Sequence, residues 1–196
     1  MSRPTWQQLS SRIAYQNPWI RVREDQVLRP DGEPGLYGVI ETPGPTVFVV
    51  ALTEDQQVWL VQVDRYPTRT LSWEVPAGGS DGVESLEDAA RRELREETGL
   101  EARDWVEVGC FQSLNGLCSE YGHVFLARGL TDTGSHEQEE EGITALRSVP
   151  LPEAMEMVRR GDITDGQTIA ALTQVLLWLT PPDAVADLLA GRQERA

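Results

Sequence analysis

The segment from Gly78 to Leu100 limits what this chain can fold into more than any other part of the sequence. It reads GGSDGVESLEDAARRELREETGL. From Ser85 onwards, apolar residues recur every four positions, at Leu86, Ala90 and Leu94. Because residues at this spacing share one face of a helix, the segment predicts a helix with one buried stripe.

The sequence also marks where this helix begins and ends. Ser85 followed by Asp88 has the form of an N-terminal capping box, and Thr98-Gly99 has the form of a C-terminal stop. Upstream, Leu71 to Val75 reads as a strand, and the proline and glycines of Pro76 to Gly79 predict a loop without regular structure. Glycines in such a loop let the backbone approach a ligand closely. The predicted order is strand, glycine-rich loop and acidic helix.

Three carboxylates lie on a neighbouring face of the predicted helix. Glu93, Glu96 and Glu97 stand at i, i+3 and i+4, so their side chains are adjacent. Like charges at this spacing destabilise a helix by roughly a few tenths of a kcal/mol per pair, and we expect nothing nearby to neutralise them. Clustered carboxylates suit hard divalent cations such as Mg²⁺. The helix therefore predicts a metal site.

The same segment resembles the Nudix box, whose pattern is G-x5-E-x7-R-E-U-x-E-E-x-G-U with U an aliphatic residue. The matching residues are Gly78, Glu84, Arg92, Glu93, Leu94, Glu96, Glu97, Gly99 and Leu100. The alternative is an ordinary surface helix rich in Glu and Arg. The joint match of loop, glycines and carboxylates disfavours that alternative.

Further segments resemble the ADP-ribose pyrophosphatase branch of the Nudix hydrolases. They are Asn17 to Val22, Val61 to Pro67, Trp73 to Gly78, Gly161 to Ile163 and Thr168 to Leu172. Two departures from the branch stand out. Ser113 to Gly116 reads SLNG where the branch often has Ser-Pro-Gly, and Val83 occupies a position where many members have Gly.

The resemblance implies an α/β fold: a Nudix α/β/α sandwich with a mixed sheet and a small N-terminal β extension. We expect residues 1–45 to form that extension and to serve dimerisation and base binding, residues 46–180 to form the Nudix hydrolase domain, and residues 181–196 to form a tail. Local patterns predict strands at Trp19 to Leu28, Tyr37 to Glu41, Thr46 to Leu52, Val58 to Val63, Trp105 to Gln112 and His123 to Ala127, and helices at Leu151 to Arg160 and Asp165 to Leu179.

The resemblance also implies the catalytic and metal-binding residues. Glu93, Glu96, Glu97 and the Ala77 carbonyl oxygen would hold one to three Mg²⁺ ions, for which Mn²⁺ can substitute. Glu96 and Glu97 are thus candidate catalytic residues. Either Glu139 or Glu141 would position or deprotonate the attacking water, and the sequence leaves open which one. Arg92 would orient the carboxylates, through Glu84.

Candidate substrate-binding residues follow from the same resemblance. Arg65 would steady a phosphate or the terminal ribose, with a plain surface salt bridge as the alternative. Trp19 and Tyr37 are candidates for stacking on the base. The Asn115 amide is a candidate hydrogen-bond partner of a sugar hydroxyl, and Gly78 a point of close approach to the substrate. Most other tryptophans, such as Trp178 in the last predicted helix, we expect in the core.

Composition narrows the class of protein. The net charge of −15 and the lack of a basic stripe disfavour binding to nucleic acid polymers. No apolar run approaches the roughly 18 residues that a transmembrane helix needs, so we expect no membrane partner. Cys110 and Cys118 read as ordinary thiols of a cytoplasmic protein.

Together these features predict a Mg²⁺-dependent pyrophosphatase that cleaves ADP-ribose or a related nucleotide sugar to a nucleoside monophosphate and a sugar phosphate. The expected assembly is a homodimer, and the expected partner is a small nucleoside diphosphate derivative. One alternative is hydrolysis of another such derivative, for example a dinucleoside polyphosphate or a flavin dinucleotide. A second alternative is a non-catalytic module that senses ADP-ribose.

Overall fold

Ten strands and three helices make up the part of the chain that the computed structural model describes, residues 5–80, 82–134 and 142–184. The strands are β1 (Gln7–Gln16), β2 (Arg21–Leu28), β3 (Pro34–Glu41), β4 (Thr46–Ala51), β5 (Gln57–Arg65), β6 (Thr70–Glu74), β7 (Ala77–Gly79), β8 (Leu100–Gln112), β9 (Tyr121–Asp132) and β10 (Ile143–Pro150). The helices are α1 (Leu86–Thr98), α2 (Leu151–Arg160) and α3 (Gly166–Leu179). The predictions for Glu139, Glu141 and most of the 181–196 tail lie outside the described residues.

A four-stranded mixed sheet in the order β7-β4-β9-β8 separates α1 from α3. Strands β4 and β9 run parallel, and the other two pairs are antiparallel. Because side chains alternate between the faces of a strand, Val47 and Val49 pack with α1, whereas Phe48 and Val50 pack with α3. The predicted α/β/α sandwich with a mixed sheet is confirmed.

Helix α1 has the ends that its sequence predicts. The Ser85 hydroxyl oxygen accepts a hydrogen bond from the Asp88 backbone N–H at 3.1 Å. Gly99 ends the helix with φ 73°, a left-handed conformation that favours glycine, and its N–H donates to the Arg95 carbonyl. Ala90 and Leu94 are fully buried. The apolar stripe thus fixes which face of α1 carries the carboxylates.

The prediction of an irregular glycine-rich loop is wrong for Ala77–Gly79. These residues form β7, which pairs antiparallel with the edge of β4, with Gly79 opposite Thr46 and Ala77 opposite Phe48. Glycine and alanine have low strand propensity, but their unobstructed backbone satisfies the hydrogen-bonding groups of the β4 edge. The pairing holds the backbone of the glycine motif in a fixed position beside α1.

The N-terminal residues form a separate three-stranded antiparallel sheet in the order β1-β2-β3. The two-residue apolar pattern of strand β1 is interrupted at Ser11, and the strand is exposed along its whole length, so sequence periodicity did not reveal it. The predicted strand from Trp19 begins only at Arg21. The Asn17 side-chain oxygen accepts hydrogen bonds from the backbone N–H groups of Trp19 and Ile20, which makes a turn there.

A third sheet, in the order β10-β5-β6, carries α2 and lies next to the site described below. Strand β10 had no counterpart in the sequence prediction, and β8 and β9 are longer than predicted. Among the described residues, no helix is both long and apolar enough to cross a membrane.

Candidate active site

Strand β7 forms a close-fitting wall beside the carboxylates of α1. A Cβ atom placed on Gly78 would lie 2.0 Å from Oε1 of Glu93, so only glycine leaves room for that carboxylate. The Ala77 N–H donates a hydrogen bond to Oε2 of Glu97 at 3.0 Å. Glu93 and Glu97 are only 7% and 6% exposed. The structure therefore brings together Ala77, Gly78 and two of the predicted acidic residues.

Arg92 neutralises much of the acidic cluster, and the expectation that nothing nearby would do so is wrong. Its guanidinium lies 2.8 Å from Glu84, 2.7 Å from Glu93 and 3.0 Å from Glu96. It also donates to the Gly79 carbonyl oxygen at 3.1 Å. Hydrogen bonding to Glu84 is the largest cause of a pKa raised well above the usual value for arginine, although burial acts against it. Arg92 thus connects the loop before α1 to two carboxylates, in agreement with the orienting role expected of it.

The side chains of this cluster offer the type of ligand atom that a divalent cation needs. Glu93, Glu96 and Glu97 supply only oxygen atoms, which are the ligands that hard divalent cations take. Within the described ranges, however, no three acidic, His or Cys side chains converge as a ready metal set. The reason is visible in their contacts, because Glu93 and Glu96 bond to Arg92, and Glu97 bonds to the Ala77 N–H.

Arg65 lies at the end of β5 and forms a two-point ion pair with Glu74 of β6, at 2.5 and 3.0 Å. Glu74 is 5% exposed, whereas the Arg65 side chain is about half exposed. The bond to Glu74 raises the pKa of Arg65, burial opposes that rise, and the negative charges of Asp165 and Glu97 add to it. Arg65 is therefore a salt-bridge partner of Glu74 whose pKa also responds to the charge of Glu97 in α1.

The first turn of α3 ties three parts of this region together, and sequence reasoning assigned none of these roles. Asp165 caps the helix by accepting from the Thr168 N–H at 2.7 Å. The fully buried Thr168 hydroxyl accepts from the Val75 N–H at 3.2 Å, two residues before β7. Gln167 donates to the Ser113 hydroxyl at 2.6 Å. The one sequence signal was an Asp three residues before a Thr at the start of an apolar helix.

Glu120 is a second residue that sequence reasoning missed. One of its carboxylate oxygens accepts from the Thr46 hydroxyl at 2.5 Å, and the other lies 3.4 Å from Nε2 of Gln167. It therefore links the start of β4 to α3. A single glutamate in a loop carries no periodic pattern, and no local signal would have found it.

The aromatic candidates are not joined to the carboxylates by any contact within the described ranges. The Tyr37 hydroxyl donates to the Gly116 carbonyl oxygen at 2.8 Å, and its ring packs edge-on against Trp6 at 5.3 Å. Tyr37 is thus brought next to the loop that contains Asn115. Trp19 is 73% exposed in the turn before β2.

Comparison with known proteins covers both parts of the chain. A family model described as "NUDIX domain" matches residues 42–172, and one described as "Nucleoside diphosphate sugar hydrolase N-terminal domain" matches residues 6–40. An ADP-ribose pyrophosphatase of Mycobacterium tuberculosis (strain ATCC 25618 / H37Rv) is 32% identical over 177 residues, which are 89% of this chain and 85% of the relative. An ADP-ribose pyrophosphatase of Bacillus subtilis (strain 168) is 30% identical over 154 residues, 78% of this chain and 83% of the relative.

A solved structure described as "Crystal structure of ADP compounds hydrolase" superimposes with a TM-score of 0.81. The match covers 91% of this chain and 96% of that one, at 22% sequence identity. At that identity the likeness concerns the fold alone. It includes the N-terminal strands as well as the sandwich, because the match spans nearly the whole chain.

Proposed function

The chain belongs to the Nudix family of hydrolases, and on that premise we propose that it cleaves the diphosphate bond of ADP-ribose or a related nucleotide sugar. The observation that carries the proposal is the packing of Glu93 and Glu97 against β7, with Arg92 holding the neighbouring carboxylates. Two relatives named ADP-ribose pyrophosphatase, matched over most of the chain, support the choice of substrate. The products would be AMP and ribose 5-phosphate.

Nudix hydrolases use divalent metal cations, and we propose Mg²⁺ as the cation, with Mn²⁺ as a substitute. Glu93, Glu96, Glu97 and the Ala77 carbonyl oxygen would hold it. When bound, such an ion neutralises phosphate oxygens and lowers the pKa of a coordinated water. These are the two needs of diphosphate hydrolysis, in which negative charge accumulates at phosphorus and on the leaving phosphate.

The protein's own residues would hold this arrangement in place. The Ala77 N–H fixes one oxygen of Glu97, and the absence of a side chain at Gly78 keeps the Glu93 carboxylate against the β7 backbone. Arg92 limits the repulsion among the carboxylates and orients them. We propose that Glu139 or Glu141, which lie outside the described residues, positions or deprotonates the water.

We propose that Trp19 stacks on the base at one end of the substrate and that Asn115 hydrogen-bonds to the sugar at the other end. The exposed ring of Trp19 is available for stacking. The Tyr37 hydroxyl bonds to Gly116 and its ring packs against Trp6. We therefore propose that Tyr37 positions the Asn115 loop, in addition to any contact it makes with the base. Replacing Asn115 with Pro would change the preference among nucleotide sugars if the loop reads the sugar, and would leave the ratios unchanged if it does not.

We further propose that residues 1–45 pair with a second subunit. Strand β1 exposes Leu9, Ile13 and Tyr15, each by about half or more, and a three-stranded sheet alone has little core. Light scattering at micromolar concentration tests this proposal. A mass near 21.8 kDa, that of one chain, would exclude the dimer.

A substrate panel with product identification tests the proposed function. We expect ADP-ribose to be cleaved with a higher kcat/KM than a diadenosine polyphosphate or a flavin dinucleotide. We expect the same of at least one of the two further sugar nucleotides, ADP-glucose and GDP-mannose. A diadenosine polyphosphate as much the best substrate would refute the nucleotide-sugar assignment. Tight binding of ADP-ribose without turnover, in the presence of Mg²⁺, would indicate a sensor instead of an enzyme.

A further inference from the structure

A hydroxyl-rich pocket opens between β6 and the N-terminal turn of α3. Its volume is 280 Å³, and its lining includes the hydroxyl groups of Thr68, Thr70, Ser72 and Thr164. Thr68 and Thr70 hydrogen-bond to each other at 2.8 Å at its rim. Hydroxyl groups both donate and accept hydrogen bonds, so such a lining can pair with a ligand that carries several hydroxyls of its own.

The charge around this pocket disfavours a phosphate. Arg65 is its one cationic lining residue, and Glu74 already engages that guanidinium at two points. Asp165, also in the lining, adds a further carboxylate. With two carboxylates and one guanidinium, the pocket repels an anion more than it attracts one. A neutral polar group avoids that penalty, and carboxylates are good acceptors for sugar hydroxyls.

The lining also disfavours the base. Pockets that enclose a ligand of drug size measure about 300–1,000 Å³, so this one accommodates one end of a nucleotide sugar. Among the residues that line it, none carries an aromatic ring on which a base can stack. The lining thus selects the sugar end over the nucleoside end.

The pocket lies next to the catalytic carboxylates. Glu74 in its wall is followed after two residues by Ala77, whose N–H bonds to Glu97. Val75, which lies between Glu74 and Ala77, donates its N–H to the Thr168 hydroxyl of α3, so one short segment joins the pocket, α3 and β7. This placement lets a sugar in the pocket belong to the same substrate as a phosphate held at the α1 carboxylates.

We propose that this pocket is the subsite for the sugar beyond the diphosphate, and that it selects a neutral polyhydroxyl group over a terminal phosphate. The inference rests on the proposed function, since it assigns one end of the same substrate. Thr70 and Thr164 act there as hydrogen-bond partners of the sugar hydroxyls. The subsite is separate from the Asn115 loop: no residue of that loop lines the pocket, and α3 contacts the loop through the hydrogen bond from Gln167 to Ser113.

The test measures binding of the two products to the variants Thr70→Val and Thr164→Val by calorimetry. Valine keeps the shape of threonine and removes the hydroxyl. Because one lost hydrogen bond changes affinity by about fivefold to tenfold, we expect ribose 5-phosphate to bind each variant that much more weakly and AMP to bind unchanged. Thr70→Ser, which keeps the hydroxyl, should restore the affinity. Thr131→Val, an exposed strand threonine at the far end of β9, is the matched control.

Three results would overturn the subsite: equal weakening of AMP and ribose 5-phosphate, unchanged binding of ribose 5-phosphate in both variants, or no binding of ribose 5-phosphate to the unaltered protein. Circular dichroism and thermal unfolding establish that each variant is folded. The proposed function fails by a different observation, namely the absence of nucleotide-sugar hydrolysis by the unaltered protein. The binding measurement needs no turnover, so the two failures are distinguishable.

Discussion

Replacing Gly78 with Ala should abolish most of the activity while leaving the fold intact. The added Cβ would lie 2.0 Å from Oε1 and 2.1 Å from Cδ of Glu93, whereas ordinary contact begins at about 3.4 Å. The carboxylate must therefore move by roughly 1.4 Å, away from its place beside Arg92. Because a misplacement of about 1 Å in a catalytic group can cost ~10²-fold in rate, we expect kcat to fall by about that factor.

The cost in stability should be small, because the displaced atoms are the end of a flexible side chain. Overpacking in a rigid core costs typically about 1–3 kcal/mol, and we expect this variant to lie at or below the lower bound. Steady-state kinetics and urea denaturation measure the two quantities. Gly79→Ala is the matched control, since a Cβ at Gly79 meets no atom within 4 Å. Similar kcat values for the two variants would refute the argument that Gly78 makes room for Glu93.

Three further changes test individual contacts. Arg92→Lys keeps the charge, but its single ammonium nitrogen cannot reproduce the planar fork by which the three guanidinium nitrogens bond to Glu84, Glu93, Glu96 and the Gly79 carbonyl, so we expect kcat to fall at least about tenfold with a smaller change in KM; equal changes in both would contradict an orienting role. Thr168→Val leaves the buried Val75 N–H without its acceptor, which costs about 1–3 kcal/mol. Urea denaturation should detect this loss, and an unchanged free energy of unfolding would show that the hydrogen bond between Val75 and Thr168 is dispensable. Tyr37→Phe removes one exposed hydrogen bond and keeps the ring, so the unfolding free energy should drop by about 1 kcal/mol or less and KM should stay within threefold or so; a large rise in KM would instead place the hydroxyl in substrate binding.

Local features of the fold were predictable from sequence because their causes are local. The stripe of α1, its capping serine and its terminal glycine are each determined by residues a few positions apart, and all three are confirmed. The continuous apolar run of β4 likewise predicted a strand, and the strand is buried on both faces, by α1 and by α3. Pattern and propensity carry this information directly.

Features that depend on distant partners could not be predicted in the same way. Strand β7 exists because the β4 edge, some thirty residues earlier, needs a partner, and its own residues give no strand signal. The apolar spacing of α3 predicted Trp178 in the core, yet its ring is half exposed because the buried face of the helix is formed by Ala171, Leu172 and Val175. The rotation of a helix about its own axis decides which of its apolar residues are buried, and sequence periodicity alone does not fix that rotation.

In the candidate active site, too, local features were predictable from sequence and contacts between distant residues were not. The box pattern identified Glu93, Glu96 and Glu97 but gave no view of Arg92 as the group that neutralises two of them. The contacts of Thr168 and Glu120 join residues far apart in the sequence, and only the assembled fold reveals them.

The most direct test of the account is hydrolysis of ADP-ribose by Glu97→Gln as the cation is varied. We expect the unaltered protein to be inactive in a chelator and to regain activity with Mg²⁺. Glu97→Gln keeps the size of the side chain and removes its charge, so its kcat should be lower by about 10² or more. Glu87→Gln, on the exposed face of the same helix and paired with Arg91, should behave normally. Near-normal turnover by Glu97→Gln, or full activity of the unaltered protein in chelator, would contradict the assignment of the α1 carboxylates as the centre of a metal-dependent hydrolase.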